Sequence, residues 1–98
     1  MEAAQVTGYD RYQLSVTDLK IVNRQRVKKA RFEGESYWSQ QVADGLLILL
    51  SGDLTVHYTD RQHPLAPGEL FPLHRLNYYR LSSRGGAEIV SVEELEVV

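Results

Sequence analysis

Cysteine is missing altogether, which removes disulfide scaffolds, thiol catalysis and cysteine zinc sites from consideration. Long apolar runs are missing as well. The longest, Leu46 to Leu50, falls far short of the ~20 residues a helix needs to span a bilayer. Charge of one sign is nearly balanced: 11 Lys and Arg against 13 Asp and Glu leave a net −2. No general basic field is therefore available to draw in nucleic acid or an anionic membrane. Met1 to Asp10 carries no basic start, apolar stretch or small-residue cleavage site, so the expectation is a cytoplasmic protein with neither nucleic acid nor membrane as partner.

What is present suits an ordinary globular fold. The chain has 98 residues, 43% of them hydrophobic and 24% charged, enough for one core and far from the composition of disordered chains. Residues 1–10 are small and polar without periodicity and read as a flexible tail, leaving 11–98 as a single domain. From Tyr12 onward apolar residues fall in short alternating runs: Tyr12, Leu14, Val16; Leu19, Ile21; Val27 to Phe32; Tyr37 to Val42. No helical face exceeds two turns, and such alternation predicts strands.

The clearest segment runs from Leu46 to Tyr58, two strands meeting at Ser51-Gly52-Asp53. Glycine at that corner permits a positive φ or a bulge. Thr59 to Gln62 reads as the next turn. Leu65-Ala66-Pro67-Gly68-Glu69 reads as another, with proline setting φ and glycine in the left-handed position of a type II turn. Leu70 to Leu73 and Tyr78 to Leu81 predict short strands, Ser82 to Gly86 a polar loop, and Ala87 to Val98 a closing strand in which Glu93 to Glu96 offers one helical turn as the alternative. About eight to ten short strands with regular turn signals predict an all-β barrel or sandwich.

Charge is unevenly spread. Arg24, Arg26, Lys28, Lys29 and Arg31 form a basic run, while Glu88, Glu93, Glu94 and Glu96 gather near the other end. A run of this kind is expected as a solvated strand face rather than an anion site, and the two segments suit pairing across a sheet or a dimer contact.

The order and chemistry of the turns resemble the cupin jelly-roll barrel. Asp44 to Val56 is similar to the family's "E-L-x-x-V-L-x-G-x-x-x-V" strand pair, Leu65 to Glu69 resembles the "L-x-x-G-D" turn of its second motif, and Gly34-Glu35 resembles the "P-G" element before the first. The resemblance implies a metal site of three histidines and one glutamate. In register with Gly52 and Gly68, those positions fall on Trp38 or Ser39, Gln40 or Gln41, Gly45, and Tyr79. None is a metal ligand of the expected kind, so neither a metal nor another cofactor is expected.

Around the barrel mouth the resemblance would gather Tyr37, Trp38, Tyr58, Tyr78, Tyr79, Gln40 and Gln41, either as walls of a small-molecule pocket or as packed core. Tyr37, Gln41, Tyr58, His74 and Tyr79 are the candidate pocket residues; no residue is assigned as catalytic. His57 and His63 are expected to be exposed, His63 in a turn before Pro64. Three functional readings follow. The first is a non-catalytic, metal-free binding or assembly protein, expected to be a homodimer pairing through the strand around Tyr12 to Ile21. The second is a small isomerase in which His74 acts with Tyr78 or Tyr79. The third is a cyclic-nucleotide sensor, suggested by Pro67-Gly68-Glu69-Leu70 but lacking an arginine at the expected distance.

Overall fold

The computed structural model describes residues 12–94. Eight strands follow in chain order: β1 Tyr12–Val22, β2 Gln25–Glu35, β3 Ser39–Gln40, β4 Gly45–Gly52, β5 Leu54–His57, β6 Gln62–Leu65, β7 Leu70–Leu73 and β8 Tyr78–Glu94. All the strand pairings are antiparallel. The main sheet has the order β1-β2-β8-β4-β7, while β3 and β5 pair with the start of β8 and β6 pairs with β5. The described residues include no helix, and so none long and apolar enough to cross a membrane.

Strand β8 closes the barrel because it changes partners along its length. Residues 87–94 lie between β2 and β4, whereas Arg80 to Ser82 pair with β5 and Tyr78 and Tyr79 with β3. The predicted polar loop Ser82 to Gly86 is thus a bulged corner within one strand. Opposite it, the partner register jumps from Phe32↔Ala87 to Gly34↔Ser83. Asp53 supports the bulge: its carboxylate accepts hydrogen bonds from the Arg84 and Gly85 amides, both at 2.9 Å, and from Ser83 Oγ at 3.3 Å. These amide bonds to the charged form hold the Asp53 carboxyl below its ordinary value of 3.8.

Two other predicted boundaries shift. The runs at Tyr12 to Val16 and Leu19 to Ile21 belong to a single strand with an irregularity at Leu19, where the register slips between Asp18 and Lys20; an extra residue in one strand breaks alternation without ending pairing. Of Tyr37 to Val42, only Ser39 and Gln40 are strand. Glu93 and Glu94 continue β8 and are not helical; Leu95 and Glu96 lie outside the described residues, as does the predicted tail 1–10.

The turns follow their residues. Asn23 and Arg24, with φ of 51° and 64°, make the two-residue β1–β2 hairpin that right-twisted strands favour. At Ala66 to Glu69 the Glu69 amide donates to Ala66 O at 2.9 Å and Gly68 has φ 88°, the expected type II turn. The basic run meets the acidic one across the β2–β8 ladder: Lys28 pairs with Glu93 at 3.0 Å, and Lys29 and Arg31 reach Glu88 at 3.8 and 3.6 Å. These pairs form within one chain but on opposite faces of the ladder, Lys28 with Glu93 on one and Lys29 and Arg31 with Glu88 on the other.

The core occupies one half of the barrel. Leu49, Leu54 and Val56 are its most enclosed side chains, joined by Phe32, Leu47, Leu65, Leu73, Ala87 and Ile89. The other half is not filled.

Candidate functional site

Alternation on four strands leaves this second half hollow. Leu14 and Val16 of β1, Ala30 and Phe32 of β2, Ile89 and Ser91 of β8 and Leu47 of β4 all face it, and together with Leu73, Leu81 and Tyr79 they wall a cavity of about 330 Å³ open to solvent. That volume sits at the small end of the range for ligand pockets.

Polar groups enter it at one end. The Gln41 amide donates to Asn77 O at 3.0 Å, and its carbonyl accepts from the Leu76 amide at 2.8 Å, so the backbone of Gln41 is fixed beside β3. Its side chain turns inward: the residue is 6% exposed and its carboxamide lies against Gly45, where a Cβ built on the glycine would come within 3.3 Å of Nε2. Gln40 points the other way and donates from Nε2 to Leu76 O at 3.1 Å. Ser39 shares the wall with Tyr79. Burial raises the Tyr79 phenol above its ordinary 10.0, the Ser39 hydroxyl opposes that shift and Glu93 adds to it, so the group is a neutral hydroxyl at ordinary pH. Lys28 and Glu93, the two ionic side chains of the wall, are paired with each other.

Among the candidate pocket residues, the structure brings together Tyr37, Gln41 and Tyr79. Tyr37 stands at the rim, half its surface exposed, in edge contact with Tyr12 at 6.1 Å between ring centroids. Tyr58 and His74 are placed elsewhere. Tyr58 packs against the core near Phe71, with the Arg61 guanidinium 4.4 Å from its ring centre. His74 is exposed in the turn after β7 and is not part of the cavity wall. Tyr78 is also exposed and, like His74, is not part of the cavity wall, whereas Tyr79 is. Lys28, Ser39 and Glu93 were missed as wall residues. The inward parity that Lys28 shares with Ala30 and Phe32 was the available signal.

Neither other histidine is simply exposed. His57 does point to the outer face, but Ser82 on β8 lies beside it, with Nε2 and Oγ sharing a 2.7 Å hydrogen bond. Burial and then the nearby Arg80 charge lower its pKa below the ordinary 6.5, against a smaller opposing effect of Glu35. A histidine kept neutral in this way adds stability above 6.5 that is lost as pH falls through its lowered folded value. The urea midpoint is therefore expected to drop between about pH 8 and about pH 5, and His57→Gln should flatten that slope. An unchanged slope would show that His57 does not drive it; Asp53 and Glu69, with ordinary values of 3.8 and 4.5 and both lowered, act further to the acid side.

His63 belongs to β6 rather than a turn. Pro64 is tolerated there because β6 pairs only with β5 among the described strands, and an outer edge needs no amide. His63 donates to Glu69 at 2.6 Å and stacks on Phe71 at 4.9 Å. At the third reading's Pro67 to Leu70 segment, the chain leaves a β-turn directly into β7, with no helix to offer amides to a phosphate.

With this geometry in place, solved structures provide the comparison. The chain superposes on a cupin-2 domain protein from Shewanella frigidimarina with a TM-score of 0.78 at 21% identity, covering 82% of this chain and 79% of that one. It matches the Clostridium difficile EutQ protein with a TM-score of 0.80 at 16% identity, over 93% of this chain and 75% of that one. The fold is the cupin jelly roll. A cupin domain from Bordetella pertussis agrees over 91% of this chain and all of that one, with a TM-score of 0.70 at 19% identity. No family model matches the sequence, and no curated protein matches it. The cupin fold implies a metal at the positions counted from Gly52 and Gly68, and the cavity presents Ser39, Gln41, Gly45 and Tyr79 there. Hydroxyls, an amide and a glycine do not fit a divalent transition metal, which favours imidazole and carboxylate. Among the described residues no three His, Asp or Glu side chains come together as a metal site.

Proposed function

We propose that this cupin-fold protein is a binding module that takes a small molecule into the open half of its barrel, without catalysing a reaction on it. The observation that carries this reading is the cavity itself, apolar over most of its wall and polar at one end through Gln41, Ser39 and Tyr79. Apolar area with a few directed polar groups is the usual make-up of a ligand site. Toluene, titrated into protein labelled at leucine and isoleucine methyls, is expected to shift Leu47, Leu73 and Ile89 and to leave Leu54 and Leu65 unmoved. Absence of any saturable shift at the wall methyls would end the proposal.

We further propose that the module works as a homodimer joined along β1. That strand pairs only with β2 among the described strands, so one backbone edge of eleven residues is open. It also carries Leu14, Val16, Leu19, Ile21 and Val22, each between 42% and 59% exposed. An open edge is self-complementary under two-fold symmetry, and a second copy would cover both edge and apolar side chains. Light scattering at tens of micromolar should report twice the chain mass; a monomer would refute the dimer.

A further inference from the structure

We infer that the ligand of this cavity is an uncharged molecule with an apolar body and an amide-like edge, recognised by the Gln41 carboxamide. The inference rests on the binding reading above and narrows it to a chemical class.

Gln41 is the decisive residue because its side chain is enclosed and unpartnered together. It is only 6% exposed, lies on the cavity wall, and makes no side-chain hydrogen bond among the described residues. Gly45, against which the carboxamide lies, contributes no side chain, and the neighbouring Gln40 is committed to Leu76 O. A carboxamide presents an acceptor and donors side by side and does not ionise. Its natural complement is another cis amide, lactam or imide edge, which returns both hydrogen bonds at once. The neutral Tyr79 hydroxyl on the same wall adds a further donor or acceptor.

Charge argues against an ionic ligand. Lys28 and Glu93 neutralise each other at 3.0 Å, so an ion entering the cavity must either break that pair or be buried without a counter-charge, and both are costly. Arg26 lies opposite Glu93 on the neighbouring strand but forms no part of the wall. The remainder of the enclosure, Phe32, Leu47, Leu73, Leu81 and Ile89, calls for an apolar body.

Four probes that share one ring and differ in the attached group separate the possibilities: toluene, benzamide, benzoate and benzylammonium. With ¹⁵N-labelled protein, benzamide is expected to bind more tightly than the other three and to shift the Gln41 side-chain amide resonances. Gln41→Leu, close in volume and apolar, should weaken benzamide about tenfold, to the level of toluene, without weakening toluene. Tyr79→Phe should weaken benzamide less. Tighter binding of benzoate or benzylammonium, or a benzamide preference that survives Gln41→Leu, overturns the inference. If toluene binds and benzamide gains nothing over it, this inference fails while the binding reading stands; if toluene itself does not enter, the binding reading fails.

Discussion

Gly52→Ala is expected to cost about 3–5 kcal/mol, a loss that places it among the exceptional single substitutions. Two effects add. Gly52 has φ 89°, where any side chain costs roughly 1–2 kcal/mol. Its absent Cβ would also lie 2.0 Å from the carbonyl oxygen of Gly86 and 3.0 Å from Cα of Ala87, both backbone atoms of β8. Neither can withdraw, because the Asp53 amide donates to Gly86 O at 3.3 Å and its carboxylate holds the adjoining bulge. Gly68→Ala separates the two effects: φ there is 88°, yet nothing lies within 4 Å of the added carbon. It should lose only the conformational part, about 1–2 kcal/mol. Urea unfolding followed by circular dichroism measures both, and equal losses would show that the close approach to β8 is unimportant.

Leu49→Ala is expected to cost about 3–5 kcal/mol. Leu49 is 0% exposed, in the filled half of the barrel with Leu54 and Val56. Its amide and carbonyl are tied to the β6–β7 turn through Glu69 O at 3.4 Å and the Gly68 amide at 2.6 Å, so the backbone is poorly placed to collapse into the space left behind. The transfer loss and the cavity penalty therefore both apply. Leu70→Ala, at a residue 59% exposed, should stay within about 0.5 kcal/mol. A Leu49→Ala loss no larger than that of Leu70→Ala would mean that this half is not the packed core.

The strand content and the turns were legible because their signals are local. Alternation at Leu47, Leu49, Leu54 and Val56 follows from the period of a strand, and the glycines at 52 and 68 mark positive φ that other residues tolerate poorly. Ser82 to Gly86 was misread for a related reason. Its composition is that of a loop, and only the partners on either side, with Asp53 capping the amides between them, make it a strand corner. His57 was placed on the correct face but not at the correct burial, since alternation gives direction and says nothing of what a neighbouring strand lays beside it.

Composition and spacing by themselves determined an all-β chain without thiol chemistry, its strand-to-strand corners, and the absence of histidine and glutamate where the cupin resemblance implies metal ligands. These follow from residue identity and from backbone preferences a few positions long. Tertiary structure alone decided which candidate residues meet. It turned Gln41 inward and Gln40 outward, joined Tyr37 and Tyr79 to the same cavity, and left Tyr58 and His74 outside it. It also paired Lys28 with Glu93, far apart in the chain, through the β2–β8 register. The reason is that a barrel wall is assembled from strands distant in sequence, so the neighbours of a side chain are set by ladder register and strand order, which no local pattern contains.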